Sequence, residues 1–574
     1  MKQRIYDHLV FLYGEEQAVA VADRLGILLA EFASRHPDLA AERTGERISE
    51  RDSILIIYGD MVQEEGVAPL QSLADFLSGT VSGTVSTVHI LPFYPYSSDD
   101  GFSVIDYKEV DPQLGDWPDV VHIGRAFRLM FDAVVNHISV QSDWFSGFLQ
   151  DDPCYRNYFT VVEPGADLSQ VFRPRALPLL TEVETVVGPK QVWTTFSADQ
   201  VDLNYAESEI LLEVIDTLLF YVAHGAEFIR LDAIAYIWKE EGTPCIHLPQ
   251  THEIIRLMRA VLDIVAPHVA IITETNVPHE DNISYFGNGT NEAQMVYNFS
   301  LPPLTLHAFH IGNAETLSKW ARSLTVPSVE TTFFNFLASH DGIGLTPARG
   351  LLSDEEVQSM AQRVEELGGY VSYRTNPDGS KSAYELNINF LDALRDPGNV
   401  HKEIELEVRR FIASQAIMLA FKGVPGIYFH SLFGSRNWRE GVGQTGRNRS
   451  INREKLQVKA LTAELADKES LRHRVFTYYC RLLDIRRAEP AFHPNGEQVV
   501  LDIDPALFAL RRRSIDGRST VFCLQHVSSE RRRIQLPIES APLRNLLNGE
   551  ILNSKFIDLA PFDVLWLQPI DPYR

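Results

Sequence analysis

Arg230 and Asp232 stand two residues apart in the apolar run Phe228-Ile229-Arg230-Leu231-Asp232. The β-branched and aromatic residues around them predict a buried strand. Opposite charges inside such a strand are costly unless they pair or do chemistry. A structural ion pair would account for this segment alone. The same arrangement occurs twice more, with Ile271-Ile272-Thr273 ending on Glu274 and Phe334-Asn335-Phe336-Leu337-Ala338-Ser339-His340 ending on Asp341. Three strands, each delivering a carboxylate at its C-terminal end, describe the active face of a barrel of parallel strands.

The elements needed to position these groups follow in order. Helical spacing of Ala18, Val21, Ala22, Leu25 and Leu29 predicts an N-terminal helical extension over residues 1–50, ending near Pro37. Alternating strands and helices then predict an α/β fold, a (β/α)8 TIM barrel over 51–138 and 203–490. Strands begin near Ile54, Val85, Arg128, Phe228, Ile271, Gln294, Thr332 and Gly426. Residues 139–202 lack helical periodicity and are expected to form an inserted domain after the third strand. A second insertion, 350–397, combines a charged helix, the turn Asn376-Pro377-Asp378-Gly379 and the stretch around Tyr384. Alternating apolar residues such as Leu507, Phe508, Ala509 and Leu510 predict a C-terminal antiparallel β-domain over 491–574.

Composition narrows the partners. The chain has 574 residues, 45% hydrophobic and 22% charged, with a formal net charge of −25. Such an acidic chain argues against nucleic acid or an anionic membrane as partner. No apolar run is long enough for a membrane span, and the N-terminal sequence does not resemble a signal peptide. Cys154, Cys245, Cys480 and Cys523 fit neither a disulfide framework nor a zinc site, so the expected compartment is the cytoplasm. Between the second strand and its helix, Phe93-Tyr94-Pro95-Tyr96-Ser97-Ser98-Asp99-Asp100-Gly101-Phe102 sets aromatic faces beside carboxylates, a combination suited to a sugar ring.

The segments Asp132-Ala133-Val134-Val135-Asn136-His137, Ile229-Arg230-Leu231-Asp232-Ala233, Ile272-Thr273-Glu274 and Ser339-His340-Asp341 resemble, in order and spacing, the four characteristic blocks of the α-amylase superfamily. Phe172-Arg173-Pro174-Arg175, Gly242-Thr243-Pro244-Cys245, His340-Asp341-Gly342-Ile343-Gly344 and Arg449-Ser450-Ile451-Asn452-Arg453 bring it closer to the sucrose phosphorylase subfamily and its relatives acting on glucosylglycerol and glucosylglycerate. The resemblance implies a retaining mechanism, with two carboxyls about 5 Å apart and a covalent glycosyl-enzyme. Asp232, held ionised by Arg230, suits the nucleophile. Glu274, with no basic neighbour in its strand, suits the acid/base, and Asp341 suits a transition-state stabiliser. The resemblance further implies a glucosyl subsite of Asp99, Phe102, His137, Arg230, His340 and Arg449, with Arg449 paired to Asp99. Arg175, Tyr236 and Tyr384 are the expected phosphate ligands. It implies no metal and no cofactor.

The partners expected on this basis are inorganic phosphate and a small α-glucoside. Asn276 stands where sucrose phosphorylases carry a histidine, and the loop holding Arg436, Arg439, Arg447 and Arg449 is richer in arginine. These departures point away from sucrose and toward a short aglycone, with glucosylglycerol preferred over glucosylglycerate and sucrose. An α-glucosidase or transglucosidase, or a non-catalytic barrel, are the rival readings. A non-catalytic barrel would be expected to lack one of Asp232, Glu274 and Asp341, and all three are present.

Overall fold

The computed structural model describes residues 2–40, 46–175, 177–375, 380–398, 403–537 and 542–570. Eight strands close a parallel barrel: β1 (Ile54–Ile57), β2 (Thr87–Ile90), β3 (Arg128–Ala133), β4 (Ala226–Leu231), β5 (Ala270–Thr273), β6 (Met295–Tyr297), β7 (Thr332–Phe336) and β8 (Val424–Tyr428). Each strand pairs with its sequence neighbours, and β1 pairs with both β2 and β8 to complete the ring. Both faces of these strands are covered, which is why β1 and β5 read as near-continuous apolar runs. Asp232, Glu274 and Asp341 all follow strand C-termini, so closure of the ring brings them to one end.

The N-terminal region is one long helix, α1 (Lys2–Arg35), broken at Gly14, where φ is +77°. It lies against α2 (Ser208–Ala223) and α3 (Pro249–Val265) of the barrel's outer layer. Arg4 reaches Asp263 at 3.0 Å, His8 Nδ1 sits 2.6 Å from Glu253, and the Tyr13 hydroxyl donates to the Tyr205 carbonyl at 3.0 Å.

The segment after β3 contains a helix that sequence periodicity did not reveal, Asp143–Leu149, capped by Ser142 Oγ accepting from Phe145 N at 3.1 Å. Seven residues are too few to establish a helical period. A hairpin follows, Leu180–Thr185 with Gly188–Trp193. This segment is tied to the barrel through Lys239, whose ammonium pairs with Asp202 at 2.6 Å and donates to Asn136 Oδ1 at 3.0 Å.

Between β7 and β8, a helix over Asp354–Glu366 starts with a reciprocal cap in which Ser353 Oγ accepts from Glu356 N and Glu356 accepts from Ser353 N. Strands Tyr370–Thr375 and Lys381–Asn387 then pair antiparallel, and Ile343–Gly344, just after Asp341, adds to the second of them. The expected turn at 376–379 lies outside the described residues. Two helices, α4 (Ile404–Ala420) and α5 (Leu471–Ala488), flank β8 in sequence and lead to the C-terminal sheet.

That sheet is antiparallel and six-stranded, and it shows the period of two directly. Phe508, Leu510, Val521, Cys523 and Trp566 join the main core beside the barrel, whereas Leu507, Ala509, Phe522 and Leu524 form a separate small core on the other face.

Candidate active site

Arg230, 2% exposed, is the hub of the barrel's C-terminal end. Its Nη1 donates to Asp132, which ends β3, and to Asp232 Oδ1 at 2.8 Å, while its Nη2 lies 3.8 Å from Glu274. One guanidinium therefore touches both expected catalytic carboxyls, which places them side by side. Asp132 is fully buried and also meets His89 Nε2 at 2.7 Å. Burial works against its charge, but Arg230 and then His89 outweigh it and hold Asp132 down to about 2. The fixed Asp132 anion locks the guanidinium in place. It was not singled out from sequence, although it ends an apolar strand just as Asp232 does.

Immediately after Asp232 the backbone turns at Ala233, whose φ of +48° is strained for a residue with a Cβ. That turn aims the Ala233 N–H at Glu274 Oε2, 3.2 Å away. Burial, the largest effect, raises the carboxyls of both Asp232 and Glu274; Glu274 adds to the rise at Asp232, and Asp341 to that at Glu274. The expectation that Arg230 keeps Asp232 ionised is corrected accordingly: burial exceeds the pull of the guanidinium, and the Asp232 carboxyl is raised. Arg230 lies closer to Asp232 than to Glu274, 2.8 Å against 3.8 Å, and so favours the charge on Asp232 of the two.

Asp341 is in a different environment. Burial opposes its charge, but Arg449, His340, Arg453 and Arg230 together hold it well below the usual carboxylate range. Arg449 bonds Asp341 directly and also pairs with Glu385 at 2.8 Å. The expected Arg449–Asp99 pair is thus not formed. Asp99 is paired with Arg175 Nη2 at 3.3 Å instead. The cause is the second insertion, which brings Glu385 against the loop after β7. Gly342 permits this, since a Cβ there would lie 2.6 Å from Glu385 Cγ.

The aromatic and acidic loop after β2 is a tight, strained turn. Asp99 and Asp100 both have positive φ, and Gly101 is required because a Cβ would come within 2.6 Å of the Pro92 carbonyl. The turn delivers Asp99 and Phe102 to the site. Phe102 stacks on His340 with ring centroids 4.8 Å apart and planes 6° apart, and burial pushes His340 down to about 3, so it is neutral. His137 Nε2 lies 2.9 Å from the Phe102 carbonyl and buttresses the same turn. Asp100 pairs with Arg453, whose Nε donates to the His340 carbonyl at 2.7 Å.

These residues surround a pocket of about 150 Å³, which Asp99, Phe102, His137, Asp232, Glu274, His340, Asp341 and Arg449 line together. Tyr236, Arg175 and Tyr384 line it as well. Tyr236 sits between Phe172 and Phe196. Asn276, Thr346, Arg173 and Arg374 line the pocket too, and sequence reasoning did not foresee the places of Phe196 and Arg374 in the lining or of Glu385 on Arg449. Their segments carry no strand-end carboxylate or paired motif to mark them. Arg436 is engaged by Asp392 at 2.7 Å and by Glu407, and neither it, Arg439 nor Arg447 lines the pocket. A larger cavity of about 700 Å³ lies between α4, α5 and the C-terminal sheet, remote from these carboxyls.

Among the described residues, no group of three or more His, Cys, Asp or Glu side chains is arranged to hold a metal ion, and no helix is long and apolar enough to cross a membrane. The arrangement suits chemistry at a sugar carbon: two neighbouring carboxyls raised by burial and a third held as an anion, all lining one pocket.

Residues 82–348 match the family model described as the α-amylase catalytic domain. The chain is 50% identical over 582 residues to a glucosylglycerate phosphorylase of Spirochaeta thermophila, covering 99% of this chain and 98% of the relative. It is 44% identical to a glucosylglycerate phosphorylase of Escherichia coli, covering 99% and 100%. A glucosylglycerol phosphorylase of Marinobacter adhaerens is 28% identical, over 77% of this chain and 88% of the relative. Among solved structures, a sucrose 6F-phosphate phosphorylase from Thermoanaerobacter thermosaccharolyticum superposes with a TM-score of 0.73 at 22% identity, covering 89% of this chain and 98% of that one. The chain therefore belongs to the α-amylase family, in the phosphorylase group that these relatives represent.

Proposed function

We propose that this protein is a retaining phosphorylase of an α-glucosylglycerate, exchanging the glycerate for phosphate to give α-glucose 1-phosphate. The observation that carries the retaining chemistry is the shared contact of Asp232 and Glu274 with the two terminal nitrogens of Arg230. Two carboxyls gathered on one guanidinium suit the close pair of a retaining enzyme better than the wider pair of an inverting one.

In the first step, an Asp232 oxygen attacks the anomeric carbon as Glu274 gives its proton to the departing glycosidic oxygen, releasing glycerate and leaving a β-glucosyl ester. A phosphate oxygen then attacks the same carbon, Glu274 takes a proton from phosphate, and the ester bond to Asp232 breaks. Asp341 is suited to hold ring hydroxyls and the developing positive charge, because Arg449 fixes it as an anion. Arg175, Tyr236 and Tyr384 are the proposed phosphate ligands, the guanidinium offering a planar fork to the anion.

The sequence by itself leaned toward glycerol as the aglycone. The relatives at 44–50% identity shift the reading to glycerate, and an arginine-rich pocket mouth suits an anionic aglycone better than a neutral one. The four unpaired cysteines fit a reducing compartment, and we propose the cytoplasm.

The test is to incubate the protein with α-glucosylglycerate, α-glucosylglycerol and sucrose, each with and without phosphate. The expected outcome is phosphate-dependent release of α-glucose 1-phosphate, fastest from α-glucosylglycerate. Equal breakdown without phosphate would identify a glycosidase, and preference for another donor would reassign the aglycone.

A further inference from the structure

We infer that Arg374, with the Asn276 amide lining the same pocket, reads the carboxylate of the acceptor. This rests on the proposal that the acceptor is glycerate. Four arginines line the pocket: Arg173, Arg175, Arg374 and Arg449. Arg449 is taken by Asp341 and Glu385, and Arg175 by Asp99. Arg173 is exposed and donates to the Leu177 carbonyl of its own loop. Arg374 is held differently, by Nε donating to the neutral Ser382 hydroxyl at 3.2 Å. A guanidinium anchored through Nε to a neutral group keeps its charge uncancelled by that partner, and its two terminal nitrogens form the fork that a carboxylate fits.

Its position agrees with this role. Arg374 faces Ser382 across the antiparallel pair Tyr370–Thr375 and Lys381–Asn387. The ladder shifts register between Ser372 and Tyr373, opposite Tyr384, and Arg374 and Tyr384 both line the pocket. The hairpin is docked on the catalytic end through Ile343–Gly344. Gly344 packs directly on the Asn276 amide, where a Cβ would lie 2.8 Å from Nδ2. Asn276 is two residues past Glu274, whose proton goes to the glycosidic oxygen. The aglycone must therefore sit beside Glu274, on the side walled by Asn276, Thr346 and the hairpin. A three-carbon acid is short enough that the group bonded at its hydroxyl and the group bonded at its carboxylate belong to one wall.

The experiment uses the full chain in the synthetic direction, with α-glucose 1-phosphate as donor and glycerate or glycerol as acceptor. Arg374→Ala is expected to lower kcat/KM for glycerate by about 10- to 100-fold, the range for losing a hydrogen-bonded charge partner, while glycerol is affected little. Arg374→Lys should recover part of the loss, and Asn276→Ala should show a smaller loss of the same kind. A parallel assay follows phosphorolysis of α-glucosyl fluoride, in which no glycerate takes part; its kcat/KM for phosphate should stay near wild type in Arg374→Ala. Unchanged glycerate preference in Arg374→Ala overturns the assignment. Equal loss toward glycerate and phosphate also overturns it, making Arg374 a phosphate ligand. Failure of the wild-type protein to use glycerate at all overturns the functional reading itself, and this inference with it.

Discussion

The barrel buries arginines at both ends, and the two ends hold them by opposite means. Beneath the strand N-termini, Arg486 donates to the carbonyls of Glu50 at 2.6 Å and of Asp52 and Gly423 at 3.0 Å. Arg512 donates to the carbonyls of Ala420 and His493, both at 2.7 Å. Burial, with Arg512 adding its repulsion, pulls Arg486 down to about 9, and burial pulls Arg512 down to about 10. Above the strand C-termini, burial acts on Arg230 and Arg449 in the same direction, but Asp132, Asp232, Asp341 and Glu385 outweigh it and raise both. Backbone carbonyls are fixed dipoles that neither ionise nor attack carbon. An arginine held by them can only join segments, here the chain before β1, the start of β8 and the C-terminal sheet. Carboxylates carry mobile protons and nucleophilic oxygens, so the same side chain held by them organises chemistry. The difference teaches that a buried charge is assigned its role by its partners and not by its burial.

The sharpest way to break this contrast is Asp232→Asn. Turnover of any α-glucoside is expected to fall by about four orders of magnitude or more, as for loss of a covalent nucleophile. Thermal stability should hold or rise, because a buried carboxyl raised by desolvation is removed. Measuring kcat and Tm on one preparation checks both; a large fall in Tm would make Asp232 a structural anchor like the groups at the base.

Next in size is Glu274→Gln, expected to cost about 10²- to 10⁴-fold on donors with poor leaving groups and far less on α-glucosyl fluoride, which needs no proton. The pH dependence follows from the raised Glu274 carboxyl. In the wild type, Glu274 stays protonated above the usual carboxylate range, and the rate with α-glucosylglycerate falls as pH rises through its pKa and the acid is lost. The fluoride, which bypasses the acid, should show no such alkaline fall. An alkaline limb of equal size with both donors would assign the titration to another group.

The smallest effect on turnover and the clearest on stability is expected from Arg486→Met. Several buried carbonyls lose their donor, at a cost of about 3 kcal/mol or more, while kcat per folded molecule is unchanged. Urea unfolding followed by assay of the folded fraction separates the two. A loss of kcat without loss of stability would show that the base communicates with the site.

The strand-end carboxylates Asp232, Glu274 and Asp341 were legible because parallel barrel strands are buried on both faces, so a charge at their ends stands out against an apolar run. Phe102 was legible through its place in an aromatic and acidic loop. The Arg449 partner was misread, because pairing it with Asp99 required knowing where the Glu385 strand would dock. Arg374 and Glu385 stayed silent since they sit on a hairpin whose alternation resembles that of any half-exposed strand. The helix Asp143–Leu149 was missed because one and a half to two turns do not make a period.

By itself the sequence determined the eight strands in order, the strand-end positions of three carboxylates and the family. All of these are local signals, written in runs of a few residues whose burial dictates their composition. Only the tertiary structure decided which arginine meets which carboxylate, that Asp232 and Glu274 meet one guanidinium, and that Arg374 lines the same pocket as Glu274. Those facts depend on distances between residues far apart in the chain, and a charge does not announce its partner until the fold has brought the two together.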